Sequence, residues 1–299
     1  MRHPVPARPP LLPFLKPAST QQPWKDVSPE PAPAARRIQP ACFARVLVAI
    51  PLLALGVAEG VGADGVLETG LRSYHFNTSF ATGYALYAKG FWAGEATNDW
   101  SLEAVSMDRF EDTGTYLVGG NVHRFSAQWF STLFVGRGGG INWPQLRVDA
   151  TVYRKWFTDQ SLVTGLGVGH YDAPEGGRDR WLLADANIYL PGPWIVQTSL
   201  TLNRSDPGGI ASEHGLIALT HLRPRDRQLT LSLRSGEAGY IDPGSTGQVS
   251  REVGYAFTSI GLNWRQWWGP GWGTQLGVER YMRSAYDQTS LELGVFREF

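Results

Sequence analysis

Ten charged residues of both signs, Glu68, Arg72, Arg147, Asp149, Lys155, Asp185, Arg234, Arg265, Glu279 and Glu292, fall on the polar parity of alternating segments in this 299-residue chain. Residues of one parity share one face of an extended strand. If the segments pair into a sheet that closes, all ten enter one enclosed space. Opposite charges gathered in this way either pair across strands and fill the interior, or line a constriction that selects a solute. Pairing is the stronger expectation. Gly165, Gly167 and Gly169 alternate among them; they either leave room for passage or make room for bulky neighbours such as Tyr153 or Tyr189.

Nucleophilic catalysis needs a histidine beside a serine or carboxylate. His75, His170, Asp172 and Ser205 are expected near one rim, but no Gly-x-Ser-x-Gly pattern organises them. A lipid-modifying hydrolase working through His170 is therefore the alternative reading, and a protein that is not an enzyme is the main one. His214 and His221 are too far apart along a strand to share a metal ion, and His123 stands alone, so neither a metal nor a cofactor is expected. Gly136 to Gly140 lacks the Lys-Ser/Thr and the following helix of a phosphate-binding loop. It is expected to be a surface loop.

The elements that must position these side chains are strands. The last residues state the pattern plainly: Leu291, Leu293, Val295 and Phe299 share one parity, and Ser290, Glu292, Gly294 and Glu298 the other. Such alternation lets one face meet lipid while the other faces a polar lumen. Fourteen runs of this kind are legible, from Val66 to Phe76 at one end to Thr289 to Phe299 at the other. All eight prolines after residue 63 fall between runs, as a fully paired sheet requires of residues without a backbone donor. The fold expected is all-β, a transmembrane antiparallel up-and-down barrel of about 14 strands, whose even count puts both chain ends on the periplasmic side.

Two further patterns agree with a barrel. The even-numbered connections read as tight turns and most odd-numbered ones as longer loops, with Gly236 to Gly254 the longest. Trp92, Trp100, Trp129, Trp156, Trp194, Trp267, Trp268 and Trp272 cluster beside the tight turns, as an interfacial girdle does. Parity separates the faces of the sixth, ninth and eleventh runs cleanly and leaves the third, fifth and tenth ambiguous.

Composition divides the chain near Ala63. Twelve of the twenty prolines lie before that point and only three of the twenty-seven acidic residues. Residues 1–44 are expected to be a Pro-rich N-terminal extension, consistent with a start assigned upstream of the real one. Residues 45–63, with Arg45, an uncharged apolar run and Val61-Gly62-Ala63, are expected to be a signal peptide. The barrel domain is then 64–299. It contains no cysteine and carries a net charge of about −4. Without a basic patch, nucleic acid is not an expected partner. Outer-membrane lipids and the barrel-assembly machinery are.

Leu162 to Tyr240 and the closing Leu291-Glu292-Leu293-Gly294-Val295-Phe296-Arg297-Glu298-Phe299 resemble the YaiO-type outer-membrane β-barrel family. The likeness lies in Thr164-Gly165-Leu166-Gly167, in Asp206-Pro207-Gly208-Gly209 and in Leu231-Ser232-Leu233-Arg234-Ser235-Gly236. It departs at Arg297, where such barrels carry an aromatic or apolar residue. The resemblance implies an outer-membrane barrel, either a narrow channel or a structural component associated with surface polysaccharide or its export proteins. It transfers no catalytic residue.

Overall fold

The computed structural model describes residues 65–299 apart from 95, 96, 111, 141, 142, 175 and 243–250. The expected extension and signal peptide, residues 1–63, lie outside the described residues. Fourteen strands follow in order: β1 (Gly65–Phe76), β2 (Gly83–Ala93), β3 (Asn98–Arg109), β4 (Asp112–Arg124), β5 (Trp129–Gly139), β6 (Leu146–Trp156) and β7 (Leu162–Asp172) form the first half. The second half is β8 (Arg178–Tyr189), β9 (Trp194–Asp206), β10 (Ile210–Arg223), β11 (Arg227–Asp242), β12 (Arg251–Gly269), β13 (Trp272–Arg283) and β14 (Asp287–Glu298).

Each strand pairs antiparallel with its neighbours in sequence, and β1 pairs with β14, so the sheet is a closed barrel. The closing ladder runs from Val66 opposite Glu298 to Phe76 opposite Gln288. Gly65 and Phe299 exchange two further backbone hydrogen bonds, at 2.9 and 3.0 Å. Closure leaves no unpaired edge, the condition that hydrocarbon imposes on any sheet crossing it.

Strand alternation builds the belt. Leu166, Val168, Leu182, Ile217, Leu231, Leu262 and Leu293 are exposed on the outer face, whereas inward Phe296 is only 1% exposed. The three runs ambiguous by parity are resolved in space: Leu102, Leu133, Ile217 and Leu219 point outward, while Met107, Phe130 and Ala218 are buried inside. A sequence cannot separate the two because a wide interior accepts apolar side chains as readily as the lipid face does.

Seven of the eight expected girdle tryptophans have outward parity. Trp267 is the exception and corrects the expectation. It packs edge-on against Phe296 and donates its Nε1–H to Glu298 at 2.9 Å. The adjacent Trp268 is exposed and faces outward instead, since neighbours in a strand face opposite ways. Arg297, the misfit of the closing strand, lies over the Trp272 ring at 5.0 Å, so the girdle itself accommodates its charge.

The expected contrast between short turns and long loops is weaker in the structure, because pairing continues past the expected ends. β9 and β10 are joined by Pro207, Gly208 and Gly209 alone, and β11 and β12 stay paired out to Asp242 and Arg251. The glycines expected in a surface loop belong mostly to β5. There the hydroxyl of Tyr116 lies across Gly136 and the Trp143 side chain across Gly138, with the two rings stacked at 4.8 Å. Glycine is the residue over which such rings can lie flat.

Candidate functional site

The interior is organised as two arcs. Strands about 4.8 Å apart and tilted by roughly 40° give a 14-stranded cylinder roughly 28 Å across between backbones, far wider than one arginine can bridge. Interior side chains therefore meet partners a few strands away along the wall rather than on the opposite wall.

The arc from β12 through β14 to β3 is crowded. Glu292 is its hub: it accepts from Arg72 Nε at 2.9 Å, from the Tyr87 hydroxyl at 3.0 Å and from Gln275 Nε2. Tyr87 reaches it by crossing Gly70 and Gly294, where a Cβ would stand 2.5 Å from its hydroxyl. Arg265 spans two strands to Glu68 at 3.1 Å while its guanidinium lies 3.7 Å above the Phe296 ring. Lys89 sits 3.6 Å from Glu103 and 4.5 Å over Tyr87. Arg109 reaches Gln288 three strands away, with the rings of Phe110 and Tyr74 at 4.5 and 4.9 Å. Arg72, Tyr74, Tyr87, Lys89, Glu103 and Arg109 line much of a small cleft in this arc.

The other expected lumen charges lie between and beyond these groups. Arg147 grips Asp149 with two bonds of 2.7 and 3.1 Å and lies 5.3 Å from the Trp181 ring. Asp185 accepts the Tyr153 hydroxyl at 3.1 Å. Glu279 accepts from Ser259, which stands opposite Arg234. Lys155 extends over Phe130 at 5.8 Å. All ten are on inward parity, but they form several local groups instead of one ring. The glycines of β7 serve packing: Gly165 lies under Tyr153 and Asp185, Gly167 under Thr151 and Gly169 under Trp181.

The arc from β9 to β11 is different in kind. Its inward side chains are mostly small and neutral, among them Ser199, Thr201, Asn203, Ala218, Thr220 and Ser232, with Arg234 of β11 the charged exception. Their bonds join near neighbours: Gln197 to Asn187 at 2.8 Å, Thr220 with Thr230 at 2.9 Å, Asn203 to Ser205 at 3.1 Å. At the rim away from the chain ends, pairing of β10 with β11 stops at His214 and Gly236. Gly236 has φ +154°, and a Cβ there would strike the Glu213 carbonyl and His214. Beyond this bend Ser205 donates to the Gly239 carbonyl at 3.1 Å, so β11 leans inward past β10 toward β9.

Sequence reading missed Tyr87, Lys89, Glu103, Arg109, Gln275 and Gln288. The parity signal was present for Lys89 and Tyr87, but β3 mixes Glu103 and Arg109 with Val105 and Met107 on one face. The rim histidine reading does not survive the geometry. His170 faces outward and pairs with Asp172 at 3.1 Å, whereas Ser205 is buried and faces the lumen, so the barrel wall separates base from nucleophile. His75 approaches only Thr82, at 3.4 Å. Among the described residues no group of three or more His, Cys, Asp or Glu could hold a metal ion.

Comparison with curated proteins gives no match. Among solved structures, CymD, a monoaromatic hydrocarbon channel, has a TM-score of 0.52 at 8% identity, over 80% of this chain and 88% of that one. The translocator domain of autotransporter NalP from Neisseria meningitidis has a TM-score of 0.43 at 14% identity, over 87% and 95%. An anion-selective porin from Comamonas acidovorans has 0.43 at 7%, over 79% and 98%. At these identities the likeness concerns the fold alone. A family model described as the YaiO membrane beta barrel domain matches residues 66–241, ending within β11, while the ladder continues through β14 to close. The chain is an outer-membrane β-barrel and belongs to the YaiO membrane β-barrel family.

Proposed function

We propose that the protein is a narrow, off-centre channel for small polar solutes, without enzymatic activity, in which the largely neutral arc from β9 to β11 lines the path. The observation that carries this reading is the unequal filling of the lumen. Long, ion-paired side chains occupy the wall from β12 to β3, whereas serine, threonine and asparagine predominate on the wall from β9 to β11. Barrels of eight strands are filled by their side chains and those of sixteen leave an aqueous channel. A 14-stranded barrel packed on one side falls between these, with space left on the other. Hydroxyl and amide groups replace part of a solute's hydration without holding it as tightly as fixed charges would.

Planar-bilayer recording tests the reading. The purified barrel should give discrete current steps, and Ser199→Trp should reduce the unit conductance to about half or less by occluding the open arc. Lys89→Ala, in the charged arc, should leave conductance nearly unchanged and shift ion selectivity toward cations. Absence of current steps from correctly folded protein would refute the channel. It would leave the reading of a structural component, assembled by the barrel-assembly machinery and associated with envelope polysaccharide or its export proteins.

A further inference from the structure

The outer wall contains a place where like charges face each other at the margin of the apolar belt. Arg180 of β8 stands directly opposite Arg204 of β9, and His170 of β7 directly opposite Arg180. One outward step toward the middle of the wall, Val168, Leu182 and Leu202 form the same row across the same strands, and all three are exposed. One step toward the rim are Asp172, Arg178 and Asp206. Asp172 is engaged by His170 at 3.1 Å and by Arg178 at 3.5 Å. Arg180 and Arg204 have no carboxylate within ion-pair distance among the described residues.

Like charges directly opposite each other on adjacent strands destabilise a sheet. Elsewhere on the outer face such a charge is matched: Arg280 of β13 bonds Asp287 at 2.6 Å and Thr289 at 2.8 Å. The unmatched pair is therefore suited to an external anion. We propose that Arg180 and Arg204 form a binding site for the phosphate of a lipid headgroup in the outer leaflet, with Leu182 and Leu202 against the first segments of its acyl chains. Cα atoms of directly opposed residues are about 5 Å apart, so both guanidinium forks can reach one phosphate or two on a single headgroup. A planar fork that loses its hydration readily suits this task better than an ammonium. The order of rows, leucine and then arginine toward the rim, matches an amphipathic ligand rather than free phosphate. Gly65 and Phe299 lie on the other rim; with that rim periplasmic, as in bacterial barrels, the arginines lie in the outer leaflet. The site is on the opposite face of the wall from the lumen and does not depend on whether the barrel conducts.

Native mass spectrometry of the detergent-solubilised protein, titrated separately with bisphosphorylated lipid A, dephosphorylated lipid A and inorganic phosphate, tests the site. The bisphosphorylated lipid should bind about tenfold more tightly than the dephosphorylated one, the equivalent of one charge-assisted hydrogen bond. Arg180→Gln with Arg204→Gln should abolish that difference, while Arg225→Gln, on the other rim, should preserve it. Equal binding of the two lipids by the unaltered protein overturns the proposal even if the double variant fails to fold. So does undiminished preference in a folded double variant, and so does inorganic phosphate binding as tightly as the phosphorylated lipid, which would mark a small-anion site.

Discussion

The arcs from β12 to β3 and from β9 to β11 share strand geometry, register type and outer belt, yet they hold the barrel together differently. In the first, Arg265 reaches Glu68 over two intervening strands and Arg72 meets Glu292 directly across the seam, so each ion pair ties together parts of the sheet remote in sequence. In the second, Thr220 meets Thr230 and Gln197 meets Asn187, each on the adjoining strand. The first arc includes the β1–β14 seam, where the two ends of the chain must find each other. A seam closed by backbone bonds alone would rest on the same ladder as any other strand pair. Charged pairs in a restricted interior add direction, because an unpaired partner there is strongly disfavoured.

The largest expected effect follows from removing the hub. Glu292→Ala leaves Arg72 enclosed without its carboxylate and should cost about 3–5 kcal/mol. Urea unfolding of the folded barrel in detergent, followed by its heat-modifiable gel mobility, measures this. Equal loss from a conservative change in the neutral arc would break the comparison. Gly165→Val should come next, since a Cβ there would stand 2.5 Å from the Tyr153 ring. Displacing that ring should cost about 1–3 kcal/mol by the same measurement. Thr220→Val removes the bond to Thr230 while keeping the volume, and should cost about 1 kcal/mol; a larger value would mean that the neutral arc also carries closure.

The smallest effect is expected outside the spanning strands, at the turn between β6 and β7. The Ser161 backbone N–H donates to Asp159 at 3.1 Å and holds its carboxyl below the usual range. A depressed pKa contributes stability that is present above the ordinary carboxylate range and lost as the pH falls through the folded-state value. Asp159→Ala should therefore differ slightly from the unaltered protein near neutral pH and not at all in acid. Paired urea curves at the two pH values check it.

Much of this molecule was legible beforehand because a membrane barrel writes its rules locally. Period-two alternation, proline only between strands and tryptophan beside turns each report on a few residues at a time. The inward parity of Glu68, Arg147 or Glu292 needed nothing more. Which charge meets which was not legible: Arg265 and Glu68 are 197 positions apart, and their meeting depends on the register across the seam. Trp267 faces inward on the same parity as Arg265, which its nearness to a turn does not reveal. Gly165 and Gly169 became packing residues once Tyr153 and Trp181 were seen lying across them.

The chain alone determined the number of strands, the faces of those that alternate cleanly and the barrel class, since each follows from contacts within a strand or its own hairpin. Only the closed cylinder decided how the interior is shared between a paired, charged wall and a neutral one. It likewise decided that Arg180 faces Arg204 on the outside, and that His170 and Ser205 lie on opposite sides. The reason is geometric: closure sets the register around the whole barrel, and register turns a list of inward and outward residues into neighbours.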